Sequence, residues 1–353
     1  MVGVKDLRRI HSLDYLKTFL ALFVVLAHTN WLQNNMSVGV FVFGNGLLRM
    51  LVPLFCIIAG YFLQVSIARG KAGKWLTRVM GLYLFWMLAY LPIWHGQVTG
   101  FRSLATTLLW GFFHLWFLIG MFFGGLAVIA LHWLGARIAP KHALWFVVFP
   151  AAVCGIIGVL LQYADLTGIA DIPVQRYRNG IFMCFPFMAL GFLLRSRIET
   201  EGLAAVPPRP QALALSALGI FLMAAEAWFV QAHLGTGVMI EVPLASYLAV
   251  PAIFLLALQV QMPPQPVDLG LVSASIYFLH IWAFRLAEFL DVHHMLGLMA
   301  FGIGLPTLIA MIYGVTVTRR SRRDGLAMPA PGGMGQAAPV AAAVAAAVTM
   351  VEP

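Results

Sequence analysis

Apolar residues run through this chain in long blocks, broken by short polar stretches, with little of the alternating spacing of half-buried strands. Blocks of spanning length, about 20 residues, fall at 13–32, 47–66, 76–94, 112–134, 143–162, 180–195, 211–231, 243–260, 272–289 and 296–317. Inside a bilayer a backbone must satisfy its hydrogen bonds within its own helix. The pattern therefore predicts an all-α integral membrane protein of about ten transmembrane helices. The sixth block is short and the ninth is interrupted by polar residues. Connections are brief, and the longest, 95–111 and 163–179, are too small for a soluble domain. The first block carries charges and has no small-x-small site before Trp31, which argues against a cleaved signal peptide. After Arg323 the chain turns to Pro, Gly, Met and Ala, and its Ala/Val run from Ala341 to Val348 is too short to span. The expected organisation is a cytoplasmic N-terminus over 1–8, one transmembrane domain over 9–318, and a basic, then Ala/Pro/Gly-rich, disordered cytoplasmic tail over 319–353.

Composition agrees with a membrane setting. The chain is 61% hydrophobic and 10% charged, against about 25% charged in soluble domains, and its mean hydropathy is +0.90. The net charge of +9 is a matter of topology. With the N-terminus in the cytoplasm, 16 of the 22 basic residues flank the inner ends of the blocks, among them Lys71, Lys74, Arg78 and Arg319. Arg49, Arg102, Arg176 and Arg178 fall on the outer flanks. The positive-inside rule thus puts both termini in the cytoplasm, and no nucleic-acid partner is needed. Three cysteines, all in apolar runs, give neither a disulfide framework nor a metal site, so no metal is expected. No internal repeat is visible, which weakens a reading as an inverted-repeat transporter.

Ionisable residues inside the blocks mark candidate chemistry, because such groups are costly in lipid and line cavities or pathways. The first block holds Asp14, Lys17 and His28. Lys17 and His28 are 11 residues apart, three helical turns plus about 20°, so they share a face about 16 Å apart along the axis. Asp14 can orient Lys17 or Arg78. His280 lies near the middle of the ninth block, with Tyr277 and Phe284 on its face. His114 sits at the edge of the fourth block beside Trp116, where a belt residue is the plain reading. Glu226 is a lone acid in the seventh block, and Arg285 and Glu288 are spaced to pair on a helix surface. Arg176 and Arg178, beside two aspartates, read either as a solvated loop or as a site for an anionic acceptor. No Gly-rich phosphate loop or Gly-x-Ser-x-Gly elbow occurs.

Several stretches together resemble the membrane-bound acyltransferase 3 family. Arg9 through Lys17 to His28 is similar to its opening, an Arg, ten residues, then a His, within Leu-Asp-x-Leu-Arg. Val52 to Tyr61 resembles its P-x-F-F-x-x-S-G-Y helix, and Lys74-Trp-Leu-Thr-Arg78 its basic R-x-x-R approach to the third helix. His114-Leu-Trp-Phe-Leu118, Asn179 to Gly191 and Ile276-Tyr-Phe-Leu-His280 resemble three later motifs in the family's order. Two positions depart: Lys17 stands for the hallmark Arg, keeping the charge but losing its planar fork, and Ala59 stands for a Ser.

The resemblance implies an enzyme of the bacterial inner membrane that moves an acyl group, most simply acetyl from cytoplasmic acetyl-CoA, to a hydroxyl of a cell-surface or exported carbohydrate. Its expected partners are acyl-CoA, a glycan or lipid-linked sugar acceptor, and the bilayer. Lys17, Lys74 and Arg78 are then candidates for the CoA phosphates, and His28 for the general base that deprotonates the acceptor hydroxyl. His280 is a second catalytic candidate. A developing oxyanion needs donors, for which Tyr61 and His280 are candidates. His114, Tyr61, Arg178 and Glu226 are candidates on the acceptor side. Direct transfer from thioester to hydroxyl suffices, without an acyl-enzyme. A secondary transporter or glycan exporter using the same polar cavity without chemistry is the alternative.

Overall fold

The computed structural model describes residues 10–29, 31–34 and 37–323. The expected N-terminal segment 1–8 and the tail from residue 324 lie outside the described residues. Among the described residues the structure is helical, without strands. The principal helices are α1 (His11–Ala27), α2 (Leu51–Ala68), α3 (Ala72–Ala89), α4 (Phe101–Trp110), α5 (Trp116–Ile138) and α6 (Trp145–Leu166). They are followed by α7 (Phe185–Glu201), α8 (Arg209–Leu234), α9 (Ser246–Gln259), α10 (Leu269–Phe289) and α11 (Met295–Arg323). Short turns of other pitch lengthen several. The segment Val42–Gly46 is a π-helical turn and Leu47–Met50 a 3₁₀ turn leading into α2, and a π turn over Gly180–Cys184 leads into α7. The last helix runs to Arg323, so the first residues of the expected tail belong to it.

This is a multi-pass helical membrane protein, with fewer full-length spans than the hydropathy blocks suggest. Seven helical segments are long and apolar enough to cross a membrane: Val38–Ala68, Phe113–Ile138, Trp145–Leu166, Gly180–Glu201, Arg209–Leu234, Leu269–Phe289 and Met295–Thr316. An eighth is complete if Ala72–Ala89 and Leu91–Gln97, bent by 56°, form one span. Pro92, in the first turn after that bend, lacks the N–H and the clearance for an unbroken helix. The other two expected blocks fall short. Helix α1 has 17 residues and α9 has 14, about 26 and 21 Å at 1.5 Å per residue, against about 30 Å of hydrocarbon.

The helices fall into two compact units, one comprising α2 to α9 and the other α1 with α10 and α11. In the larger unit, glycines let helices touch backbone to backbone, the usual device where lipid provides no hydrophobic drive. A Cβ on Gly60 of α2 would lie 2.0 Å from the Met188 carbonyl oxygen of α7, and one on Gly191 of α7 would lie 2.0 Å from that of Ile57. The Tyr61–Arg195 and Gln64–Glu199 hydrogen bonds (3.0 and 2.6 Å) continue the same register. The two helices therefore run parallel. Gly219 of α8 packs in the same way on Ala249 of α9, and Gly124 of α5 on Phe185 of α7.

The smaller unit is a three-helix assembly. The Thr18 hydroxyl donates to the Asp14 carbonyl at 2.9 Å and to the Leu269 carbonyl at 3.2 Å, tying α1 to the start of α10. Ten residues further on, His28 meets His280, so α1 and α10 also run in the same direction. All three helices meet at Gly302 of α11, where a Cβ would stand 2.6 Å from the Phe284 ring and 2.8 Å from Val25.

Candidate functional site

The chemistry-bearing residues of the smaller unit lie along the contact of α1 with α10. Near the start of α1, Lys17 Nζ is 2.7 Å from Asp14 Oδ1. Both residues are buried, one helical turn apart, and the acid stands in the first turn where the helix dipole favours it. The Lys17 charge is thus matched inside the protein. At the other end, His28 caps α1 and its Nδ1 lies 2.8 Å from the Val24 carbonyl oxygen. A carbonyl only accepts, so in this contact Nδ1 carries the hydrogen.

His280 repeats this arrangement from α10. Its Nδ1 is 2.8 Å from the Tyr277 carbonyl and 3.0 Å from that of Ile276, which fixes the same tautomer. The His28 and His280 ring centroids are 5.1 Å apart, and Phe284 meets the His280 ring edge-on at 5.7 Å. The rings differ in access: His280 has 0% exposure, whereas His28 is half-buried. Two imidazoles, both pinned through Nδ1, thus converge where α1 ends.

The remaining candidates belong to the larger unit. Lys74 and Arg78 are exposed one turn apart near the start of α3. Tyr61 is buried, accepts a hydrogen bond from Arg195 Nη1 at 3.0 Å and lies beneath that guanidinium. His114 is buried in the 3₁₀ turn Phe113–Leu115, with the Tyr90 ring edge-on at 5.2 Å. Backbone strain precedes it. Phe113 holds a positive φ of 46°, unusual for a bulky residue. Gly111, at φ +78°, would place a Cβ 2.6 Å from Trp116 Cα.

Glu226 is engaged on all sides. Its carboxylate accepts from the Tyr163 hydroxyl and from the backbone N–H groups of Leu244 and Ala245 at 2.7 and 2.8 Å. This geometry anchors the segment entering α9. Arg178 reaches Glu241 at 3.0 Å and covers the Trp116 ring at 5.1 Å. Arg285 pairs with Glu288 at 3.0 Å on an exposed face, as their spacing suggests.

Glu241 is the residue that sequence reasoning passed over. It is 3% exposed, and its two oxygens take Arg49 at 2.9 Å and Arg178 at 3.0 Å. Gln162, fully buried, accepts from the Glu241 and Val242 N–H groups, both at 2.7 Å, and donates to the Val242 carbonyl at 3.1 Å. Nearby, burial and the negative charge of Asp165 push the Tyr177 hydroxyl up to about 12. Tyr177 therefore stays neutral and donates to Asp165 at 3.2 Å.

Comparison with known proteins adds a family assignment. The profile of a family described as "Acyltransferase domain", the third of its series, matches residues 10–319. The serine/alanine racemase of Enterococcus gallinarum is 24% identical in a 218-position alignment that covers 55% of this chain and 30% of that protein. The chain thus spans under a third of that relative's length. No solved structure matches it.

Proposed function

The chain belongs to the acyltransferase 3 family, and on that footing we propose that this membrane acyltransferase is an O-acyltransferase, moving an acyl group, acetyl in the simplest case, from cytoplasmic acyl-CoA to a carbohydrate hydroxyl. The observation that carries this reading is the histidine pair, with centroids 5.1 Å apart and each Nδ1 turned to a backbone carbonyl. A ring held in this tautomer is a general base with its lone pair at a fixed place. His28, the more accessible ring, takes the proton from the acceptor hydroxyl as its oxygen attacks the thioester carbonyl carbon. The C–S bond then breaks, the ester forms, and the departing sulfur recovers the proton from the imidazolium. No acyl-enzyme is required. His280, shut in behind His28, is a positioning residue.

On the donor side, Lys74 and Arg78 are the proposed holders of CoA phosphates, since both are exposed and one turn apart. Lys17, matched by Asp14, braces α1. His114 and Tyr61 remain acceptor-side candidates. The membrane in question is the bacterial inner membrane, with the acceptor glycan at or bound for the cell surface.

A topology of ten crossings with both termini in the cytoplasm accompanies this reading, the short α1 and α9 each counting as one. Two observations support it. Helices α1 and α10 run in the same direction, as first and ninth crossings must, and α2 and α7 do so as second and sixth.

The test uses full-length protein in detergent with acetyl-CoA and a crude cell-surface glycan extract. Release of CoA thiol and appearance of acetyl esters on carbohydrate are expected to rise together. Absence of both, with acetyl-CoA and with succinyl-CoA, would end the O-acyltransferase reading.

A further inference from the structure

Two arginines lie in the wall of a mostly apolar groove in the larger unit. The groove encloses about 480 Å³ and is walled by Trp110, Ile119, Phe123 and Phe182 alongside Arg176 and Arg178. This volume is in the range of small-ligand sites. The arginines are its only charged lining residues, and no carboxylate faces it. Arg178 is fixed by Glu241 and Trp116, but Glu241 also serves Arg49, so one carboxylate is shared by two guanidiniums. Arg176 is exposed and has no ion pair among the described residues.

The groove stands at a membrane boundary. Its walls come from the first turns of two spans, Phe113–Ile138 and Gly180–Glu201. Leu109 and Ile181 carry the apolar surface outward, 57% and 40% exposed. The amide side chain in the wall, Asn179, is already committed. Its oxygen accepts from the Ile181 and Phe182 N–H groups, and its nitrogen donates to the Gln175 and Arg176 carbonyls. Little is left to recognise a hydroxyl-rich sugar. What fits is a molecule with one anionic head and a hydrocarbon chain. Guanidiniums suit phosphate through paired N–H donors, and the aromatic wall suits methylenes.

We propose that this groove binds an anionic phospholipid, its headgroup phosphate on Arg176 and Arg178 and one acyl chain along Trp110, Phe123 and Phe182. The site goes beyond the acyl-transfer reading and stands without it.

Native mass spectrometry of the full-length protein, equilibrated in detergent with equal phosphatidylglycerol and phosphatidylcholine, tests it. The parent is expected to retain phosphatidylglycerol with a preference of about tenfold. The preference should disappear in the Arg176→Gln/Arg178→Gln variant and fall at least about threefold in Arg176→Gln alone. Because Arg178 also serves Glu241, the single Arg176 variant carries the test if the double variant fails to fold. Arg102→Gln, outside the groove, should keep the preference, and excess inorganic phosphate should not displace the lipid. Equal retention of both lipids by the parent, an unchanged preference in Arg176→Gln, an equal loss in Arg102→Gln, or complete displacement by inorganic phosphate would each overturn the proposal.

Discussion

Lys17 and His28 lie on one helix, yet the protein treats them differently. Lys17 is enclosed with Asp14 at 2.7 Å, whereas His28 is half-buried. Breaking a buried pair leaves a charge uncompensated and costs about 3–5 kcal/mol. Lys17→Met should therefore lower the unfolding free energy by about that amount, and Asp14→Leu/Lys17→Met should recover most of the loss. Denaturant titration in detergent measures both. Unchanged stability with weakened CoA binding would instead make Lys17 the phosphate handle. Glu241→Gln should cost about 3 kcal/mol, since it leaves Arg49 and Arg178 without their shared carboxylate. A loss below about 1 kcal/mol would mark a solvated surface pair. These two sites differ in how legible they were in the sequence. Asp14 and Lys17 are three positions apart, and helix geometry alone pairs them. Glu241 meets partners 192 and 63 residues away in the chain, which no local spacing encodes.

At the scale of elements, glycines set how closely helices pack. A Cβ at Gly60 or Gly191 would meet a backbone carbonyl at 2.0 Å, and no rotamer change relieves a clash with backbone. Gly60→Ala and Gly191→Ala should each force α2 from α7, with a loss beyond the usual 1–3 kcal/mol of overpacking. Reduced folded yield on size-exclusion chromatography would show it, and wild-type yield and stability would contradict it. Gly302→Ala meets side chains, Phe284 and Val25, which can shift. Its expected effect is a lower kcat with an unchanged KM for acyl-CoA and little lost stability, because Phe284 supports the His280 ring. Hydropathy located these helices well, because an apolar block in lipid has few alternatives to a helix. It missed where α1 and α9 stop and where π turns interrupt, since those ends depend on caps and packing.

Taken whole, the molecule joins its first helix to its last two in one unit, an arrangement that apolar blocks in chain order do not reveal. The proposed ten crossings with cytoplasmic termini put the 139–144 connection inside and the 167–179 connection outside. In intact cells a membrane-impermeant maleimide should then label Asp171→Cys and spare Lys141→Cys; the reverse pattern would invert the topology. The family was legible because motif residues keep their order along the chain. The tautomers and the unequal access of the two rings were not, because both depend on backbone carbonyls and neighbouring helices. The central claim is that His28 removes the acceptor proton, and single-turnover transfer from radiolabelled acetyl-CoA to glycan, with donor Kd measured in parallel, tests it most directly. The His28→Ala protein should bind CoA with the parental Kd and transfer roughly 100- to 10,000-fold more slowly; transfer at the parental rate would contradict the account.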